Sequence, residues 1–107
     1  MERIETTIIR NLIHNEDFSR KVIPFLEPTY FERRSEKILF EEISSFIVKY
    51  GSAVTIEALN IEVENRSDVT DDEVKEIKEI NQYLNDSPVD QQWLFDVTEK
   101  WCRDRAI

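Results

Sequence analysis

Glycine is almost absent from this sequence of 107 residues, in which Gly51 is the only one. Loops that bind phosphate groups need several glycines, because their backbone N–H groups must approach the anion closely. Dinucleotide-binding fingerprints need glycines for the same approach and for the turn before the helix. Two-residue hairpins also depend on glycine, which argues against a β-sandwich or barrel. The scarcity therefore excludes both nucleotide motifs and favours helices.

Cysteine and histidine are also scarce, with Cys102 and His14 the single example of each. A lone cysteine has no disulfide partner within the chain, which favours a reducing, cytoplasmic setting. Neither residue has a second ligand or a base at helical spacing, so we interpret His14 as a residue of a helix end and Cys102 as a packing residue. We predict no catalytic, cofactor-binding or metal-binding residue.

Long apolar runs are missing as well. No stretch approaches the length of a membrane span, and the N-terminus has no basic region followed by an apolar segment. We therefore expect no contact with a membrane.

Positive charge is in short supply, since 14 Lys and Arg stand against 23 Asp and Glu and leave a net charge of −9. Such a surface repels the phosphates of a duplex, so we expect little direct binding of nucleic acid. The acidity concentrates in residues 57–86, which hold ten acidic and three basic residues, whereas residues 1–50 hold nine and eight. The part of it from Glu57 to Glu79 is expected to favour basic partners.

Apolar residues recur at helical spacing along most of the chain, and cap residues mark where helices begin. We predict one all-α domain over residues 1–107, a compact bundle of about six helices. The predicted helices cover residues 3–14, a short segment capped by Asn15, residues 33–50 before Gly51, a segment capped by Thr55, residues 71–84 after the Thr70–Glu73 capping box, and Pro88 to the end, with Ser87 as cap. The third helix is interpreted as the centre of the core.

The last two predicted helices are separated by only a few residues, which predicts an antiparallel helical hairpin over residues 71–106 beside a globular body over residues 1–66. The sixth helix carries apolar residues on two opposite sides. One set, with the stripe of the fifth helix, forms the candidate hairpin and core face: Val74, Ile77, Ile80, Leu84, Val89, Trp93, Leu94, Val97 and Trp101. The other set is the candidate self-association face: Phe95, Cys102 and Ala106. A sixth helix buried on both sides within its own domain remains an alternative.

The order of these elements resembles the N-terminal domain of DnaB-type hexameric replicative DNA helicases, most of all their branch in T-even-type bacteriophages. The resemblance covers nearly the whole chain. It is carried by Ile8-Ile9 with Leu12-Ile13, Asp17-Phe18 with Val22 and Leu26, Tyr30-Phe31, Phe40 with Ile43, Thr55-Ile56 with Leu59, Asp86-Ser87-Pro88, Trp93-Leu94, Thr98-Glu99-Lys100 and Arg105-Ala106. Bacterial members often have a histidine after the aromatic pair and a glycine pair before the hairpin. Ser35 and the Asp-Ser-Pro turn stand here instead, so bacterial partner contacts are not carried over.

The resemblance implies a non-catalytic collar and oligomerisation domain. In such a domain the hairpins of two subunits pair, the dimers assemble within a hexamer, and the collar helps recruit primase or a helicase loader. The ATP-driven motor of the family lies in a separate RecA-like domain, and this sequence contains nothing of it, so we expect no enzyme activity from the chain itself. The setting would be the cytoplasm of the host cell. The alternative from another class is a free-standing acidic phage protein that binds and inhibits a host protein as a DNA mimic.

Overall fold

A computed structural model describes residues 3–85 and 88–106, and within these ranges it contains six α-helices, two short 3-10 turns and no strand. The α-helices are α1 (Ile4–His14), α2 (Glu16–Val22), α3 (Arg34–Tyr50), α4 (Ile56–Glu64), α5 (Asp71–Gln82) and α6 (Gln91–Arg105). The first 3-10 turn, Ile23–Phe25, and the second, Pro28–Tyr30, connect α2 to α3. The prediction of a compact all-α fold with about six helices is confirmed.

Four of the predicted helix ends are formed by the predicted residues, Asn15, Gly51, Thr55 and Thr70. The side chains of Asn15, Thr55 and Thr70 accept hydrogen bonds from the backbone N–H groups of Phe18, Ala58 and Glu73, each at 3.1 Å. Glu73 accepts in turn from the backbone N–H of Thr70 at 2.9 Å, which completes the capping box. Gly51 follows α3 with a φ of 68°, the left-handed conformation that glycine adopts without strain.

α6 begins later than predicted. Ser87, the predicted cap, lies outside the described residues, and Pro88 precedes the helix instead of opening it. The cap is Asp90, whose side chain accepts from the backbone N–H of Trp93 at 2.8 Å. An aspartate cap also places a negative charge at the positive end of the helix dipole, an advantage that a Ser-Pro start lacks.

The most buried helix is α1 and not α3, which corrects the predicted centre of the core. Eight of the eleven residues of α1 are buried, against six of the seventeen in α3. The buried positions of α1 include Glu5 and Asn11, and both have partners. Asn11 Nδ2 donates to the carbonyl oxygen of Thr7 at 2.9 Å, and Glu5 is paired with arginines. Pairing is what allows polar groups to be buried on every side of this helix.

The predicted antiparallel hairpin over residues 71–106 stays a prediction. α5 packs on α3 and α4, where Asn81 Nδ2 donates to Asn60 Oδ1 at 2.6 Å. Between the described residues of α5 and α6 there is no hydrogen bond, ion pair or ring contact, and Ile77 and Leu94 join the same hydrophobic core as residues 3–66. The connection between the two helices is eight residues long, more than the predicted few, so it does not force them to be neighbours.

α6 packs on the end of the second 3-10 turn through Trp101, which is only 5% exposed. The centroid of its ring lies 5.0 Å from that of Phe31 and 6.0 Å from that of Tyr30, with the Tyr30 ring edge-on. The guanidinium of Arg105 lies 5.4 Å from the Trp101 ring and also pairs with Glu5 of α1 at 3.2 Å. The end of α6 is therefore held by one aromatic cluster and one ion pair.

We expect Trp101→Ala to lower the free energy of unfolding by about 3–5 kcal/mol, because it removes the largest side chain that holds α6 to the body. The matched control is Trp93→Ala, since Trp93 is 48% exposed and should cost about 0.5 kcal/mol or less. Denaturant unfolding followed by circular dichroism measures both variants. Equal losses in the two variants would contradict this packing of α6.

Candidate interaction site on the last helix

An apolar groove of about 550 Å³ runs between α6 and the segment formed by α2 and the first 3-10 turn. An apolar cavity of about 150 Å³ already accommodates a benzene ring, so the groove has room for a large side chain. Hydrophobic and aromatic residues form most of the lining, with three charged residues among them. The groove is lined by Lys21, Val22, Phe25, Tyr30, Phe95, Thr98, Glu99, Cys102, Arg103 and Ala106.

The three residues of the predicted self-association face all line this groove. Phe95 is half-buried, and its ring centroid lies 5.7 Å from that of Phe18. Cys102 is half-buried beside it, and burial raises the pKa of its thiol. Ala106 is exposed at the end of α6. The groove also has an opposite wall, on α2 and the first 3-10 turn, that sequence reasoning did not assign to this face.

The opposite wall ends in Phe25, the most exposed phenylalanine among the described residues at 69%. α2 ends at Val22, and Pro24 then lies within the short 3-10 turn that follows. Proline fixes its own backbone φ and removes a donor, so the chain leaves the α-helix here and presents Phe25 at the lip of the groove. No local signal in the sequence distinguishes Phe25 from Leu26 and Phe31 of the same segment, which are both buried.

The charges at the groove carry both signs. Lys21 Nζ lies 5.3 Å from the centroid of the Phe95 ring, close enough for a cation–π interaction. Arg103 pairs with Glu99 one helical turn earlier at 3.5 Å. Lys100 pairs in the same way with Asp104. The described basic residues of α6 therefore each face a carboxylate, and α6 does not offer the uncompensated positive stripe that a phosphate backbone requires.

The predicted hairpin and core face is only partly packed. Four of its members are buried, Ile77, Leu84, Leu94 and Trp101, and four are half-buried, Val74, Ile80, Val89 and Val97. Trp93 is exposed and does not belong to the packed side of α6, which corrects that part of the prediction. The buried side instead runs through Leu94, Thr98 and Trp101. Thr98 is 2% exposed, and sequence reasoning missed it because a hydroxyl residue was counted as polar.

A second surface is the acidic side of α5. Asp72, Glu76 and Glu79 are exposed and share one side of the helix, since residues three and four apart are neighbours on a helical surface. The three carboxylates span about 10 Å at the rise of a helix. A DNA duplex carries about six charges over that length. This side of α5 therefore carries about half the charge of a duplex over the same length.

Part of the acidity of residues 57–86 is neutralised by a cluster around Arg66. The guanidinium pairs with Asp68 at 2.7 Å, with Glu42 at 3.1 Å and with Glu41 at 3.3 Å, which ties α3 to the connection between α4 and α5. The hydrogen bond from Arg66 lowers the pKa of Asp68 to about 2. Burial raises the pKa of Glu42 even though Arg66 faces it. The cluster is a structural connection and not an open cation site.

His14 lies at the end of α1, where its Nε2 is 2.8 Å from the backbone carbonyl oxygen of Leu84. A ring nitrogen at this distance donates to the carbonyl, so His14 links α1 to the segment after α5. Across residues 3–85 and 88–106, no three His, Cys, Asp or Glu side chains are grouped in a way that could hold a metal ion. In the same ranges no helix has the length and apolar character needed to cross a bilayer.

Comparison with known proteins identifies the class to which the chain is similar, the DnaB-like replicative helicases, and so confirms the resemblance noted in the order of its helices. The particular protein matched is the DnaB-like replicative helicase of Enterobacteria phage T4, to which the chain is 37% identical over 100 residues, or 94% of its length. The chain spans about a fifth of that helicase, 21% of its length. No family model matches the chain. The similarity supports a role related to a replicative helicase.

We expect Cys102 to react with iodoacetamide at pH 7.5 more slowly than N-acetylcysteine, because the thiolate is the reactive form and burial in the groove raises the pKa of the thiol. Mass spectrometry of samples quenched over time measures the rate. The control is the same protein in guanidinium chloride, where the rate should rise to that of the small thiol. A native rate at or above the small-thiol rate would contradict the buried setting.

Proposed function

We propose that the chain is a non-catalytic N-terminal collar domain of a hexameric replicative helicase, which pairs subunits and recruits primase or a helicase loader. The observation that carries the proposal is the match of nearly the whole chain to one fifth of a replicative helicase. A 107-residue helical domain without a phosphate loop is too small and lacks the motif for an ATP-driven motor. Its contribution to the helicase is therefore assembly and not catalysis.

Subunit pairing is assigned to the apolar groove. The groove exposes aromatic and aliphatic surface around Phe95, Cys102 and Ala106, and exposed apolar surface of this kind is typical of protein contacts. Its aromatic residues are the type that supplies most of the binding energy in such contacts. α6 presents this surface while it is packed on the body, so pairing through the groove does not require a protruding hairpin.

Recruitment of primase or a loader is assigned to the acidic side of α5. Asp72, Glu76 and Glu79 are exposed, and the described residues of the chain supply no ion pair to any of them. Unpaired carboxylates on one helix side attract a basic partner over a Debye length and speed the encounter. The two roles thus fall on different helices, α6 for pairing and α5 for recruitment.

We expect Phe95→Glu to abolish dimers of the chain, because a two-fold contact would bring two buried charges together. Sedimentation equilibrium of wild type and variant at high protein concentration measures the change. Phe95 also packs on Phe18, so the variant should lose about 0.5–1.5 kcal/mol of stability for that ring pair and yet stay folded. Ala106→Glu repeats the test at an exposed position of the same groove.

The matched control is Trp93→Glu, which places the same charge on an exposed aromatic residue of the same helix outside the groove. It should leave dimers intact. Dimers that dissociate in Trp93→Glu and persist in Phe95→Glu would show that the wrong side of α6 has been assigned. A wild-type chain that stays monomeric at high concentration would overturn pairing through this domain.

We expect the association rate of the chain with its cognate primase to fall steeply as salt is added, because oppositely charged surfaces steer the encounter. Stopped-flow fluorescence measures the rate. Neutralising Asp72, Glu76 and Glu79 as Asn and Gln should remove most of the salt dependence. The control neutralises Glu16, Asp17 and Glu27 in the same way and should leave the dependence in place. A rate that is independent of salt in wild type would point to an apolar contact instead.

A further inference from the structure

The groove and its most exposed phenylalanine belong to the same small patch of surface. Phe25 stands at the lip, 69% exposed, while Phe95, Cys102 and Tyr30 line the interior beside it. The groove, at about 550 Å³, is several times larger than a cavity that accommodates a benzene ring. A patch that carries both a protruding ring and a depression of sufficient size is complementary to itself.

From this arrangement we propose that two copies of the chain pair by exchanging Phe25, with the ring of each copy inserted into the groove of the other. This refines the subunit pairing proposed above, on which it rests, by naming the side chain that fills the groove. In a two-fold contact, residue i of one copy meets residue j of the second and the reverse also holds. Phe25 and the groove meet that condition because they are adjacent.

The other exposed aromatic residues do not satisfy the same condition. Tyr50 lies at the end of α3, Tyr83 follows α5, and Trp93 is on the exposed side of α6. None of the three lines the groove. Phe25 is the one residue of these four that lines the groove, so it reaches the groove of a second copy through the smallest two-fold contact.

The charges at the groove suit a second copy. Each copy carries a net charge of −9, so two copies repel each other over most of their surfaces. The charged residues that line the groove are Lys21 and Arg103, with Glu99 as the one carboxylate. The three charges nearly cancel, so a two-fold contact at the groove joins the two copies where their mutual repulsion is weak. Added salt should tighten the pair, because it screens the repulsion between the copies.

The backbone that carries Phe25 has a defined conformation in the folded monomer. Pro24 precedes it within the first 3-10 turn, and Leu26 directly after it is buried in the core. A side chain held on a rigid turn loses less conformational freedom on binding than one on a mobile loop. The position of the ring is therefore part of the folded monomer and does not have to form during association.

The decisive experiment mixes two variants with complementary defects. Phe25→Ala removes the ring and leaves the other nine lining residues of the groove in place, whereas Cys102→Trp keeps the ring and fills the groove. Loss of one aromatic anchor weakens a contact by about 30-fold in Kd. Each variant alone loses both anchors of the pair and should dimerise about 1000-fold more weakly than wild type. Their mixture retains one anchor, so the mixed dimer should form only about 30-fold more weakly than the wild-type dimer.

Energy transfer between chains labelled at their N-termini measures the mixed dimer. Circular dichroism checks that both variants fold, and Ala106→Trp replaces Cys102→Trp if the latter does not. Tyr83→Ala is the control for loss of an exposed aromatic ring, since Tyr83 is 76% exposed outside the groove, and it should dimerise as wild type does.

Three results would overturn the exchange of Phe25. The first is a mixture of the two variants that dimerises no better than each variant alone. The second is a Phe25→Ala variant that dimerises with the affinity of wild type. If Phe25→Ala dimerises normally while Phe95→Glu does not, pairing through the groove stands and only the exchange is wrong. If wild type remains monomeric at every concentration and salt level tested, both the exchange and the pairing function fail.

Discussion

The burial of Trp101 against Tyr30 and Phe31 is the contact on which the rest of this structure depends. It holds α6 against the body, and α6 supplies one complete wall of the groove. The Arg105–Glu5 pair supports the same end of α6 from α1, across 100 residues of sequence. Without these contacts no second wall would face Phe95 and Cys102. α6 would then present an apolar side and no groove.

Arginines play a second structural role, because they allow an acidic chain to bury carboxylates. Glu5 and Glu36 are both buried, and Arg3 reaches both of them, Glu36 at 2.6 Å. Burial nevertheless raises the pKa of Glu36, so the cost of desolvation outweighs the attraction of Arg3. Such pairs specify which segments meet more than they add to stability. The excess of negative charge stays on the surface, where it is available for contacts with other proteins.

The two candidate surfaces differ in the physics of recognition. The groove on α6 is apolar and shaped, so an occupant must fit it closely, and its contribution is binding energy. The acidic side of α5 is open and charged, so its contribution is the rate and direction of encounter. The subunit pairing and the recruitment proposed for this chain need both kinds of surface. In this fold they can operate together because they lie on helices that do not contact each other through ring, ion-pair or hydrogen-bond contacts within the described residues.

Local signals in the sequence determined the helices, their caps and much of the core. The caps at Asn15, Thr55 and Thr70 depend on hydrogen bonds within three residues, and the φ of Gly51 depends on the residue itself, so neighbouring sequence suffices for them. The similarity to a replicative helicase was likewise visible in the order of the elements.

Only the tertiary structure decided where α6 lies and what covers each of its sides. Helical spacing identifies which residues share a side of α6, but it does not say which neighbouring element receives them. Helical spacing therefore predicts Trp93 on the packed side of α6, although its side chain is exposed. It does not predict Thr98 on that side, although Thr98 is buried. The groove brings together Phe25 and Phe95, which are 70 residues apart in the sequence. A groove between two elements exists only after both elements have packed on the body. Contacts of that range depend on how the whole chain shares its buried surface, which no local pattern contains.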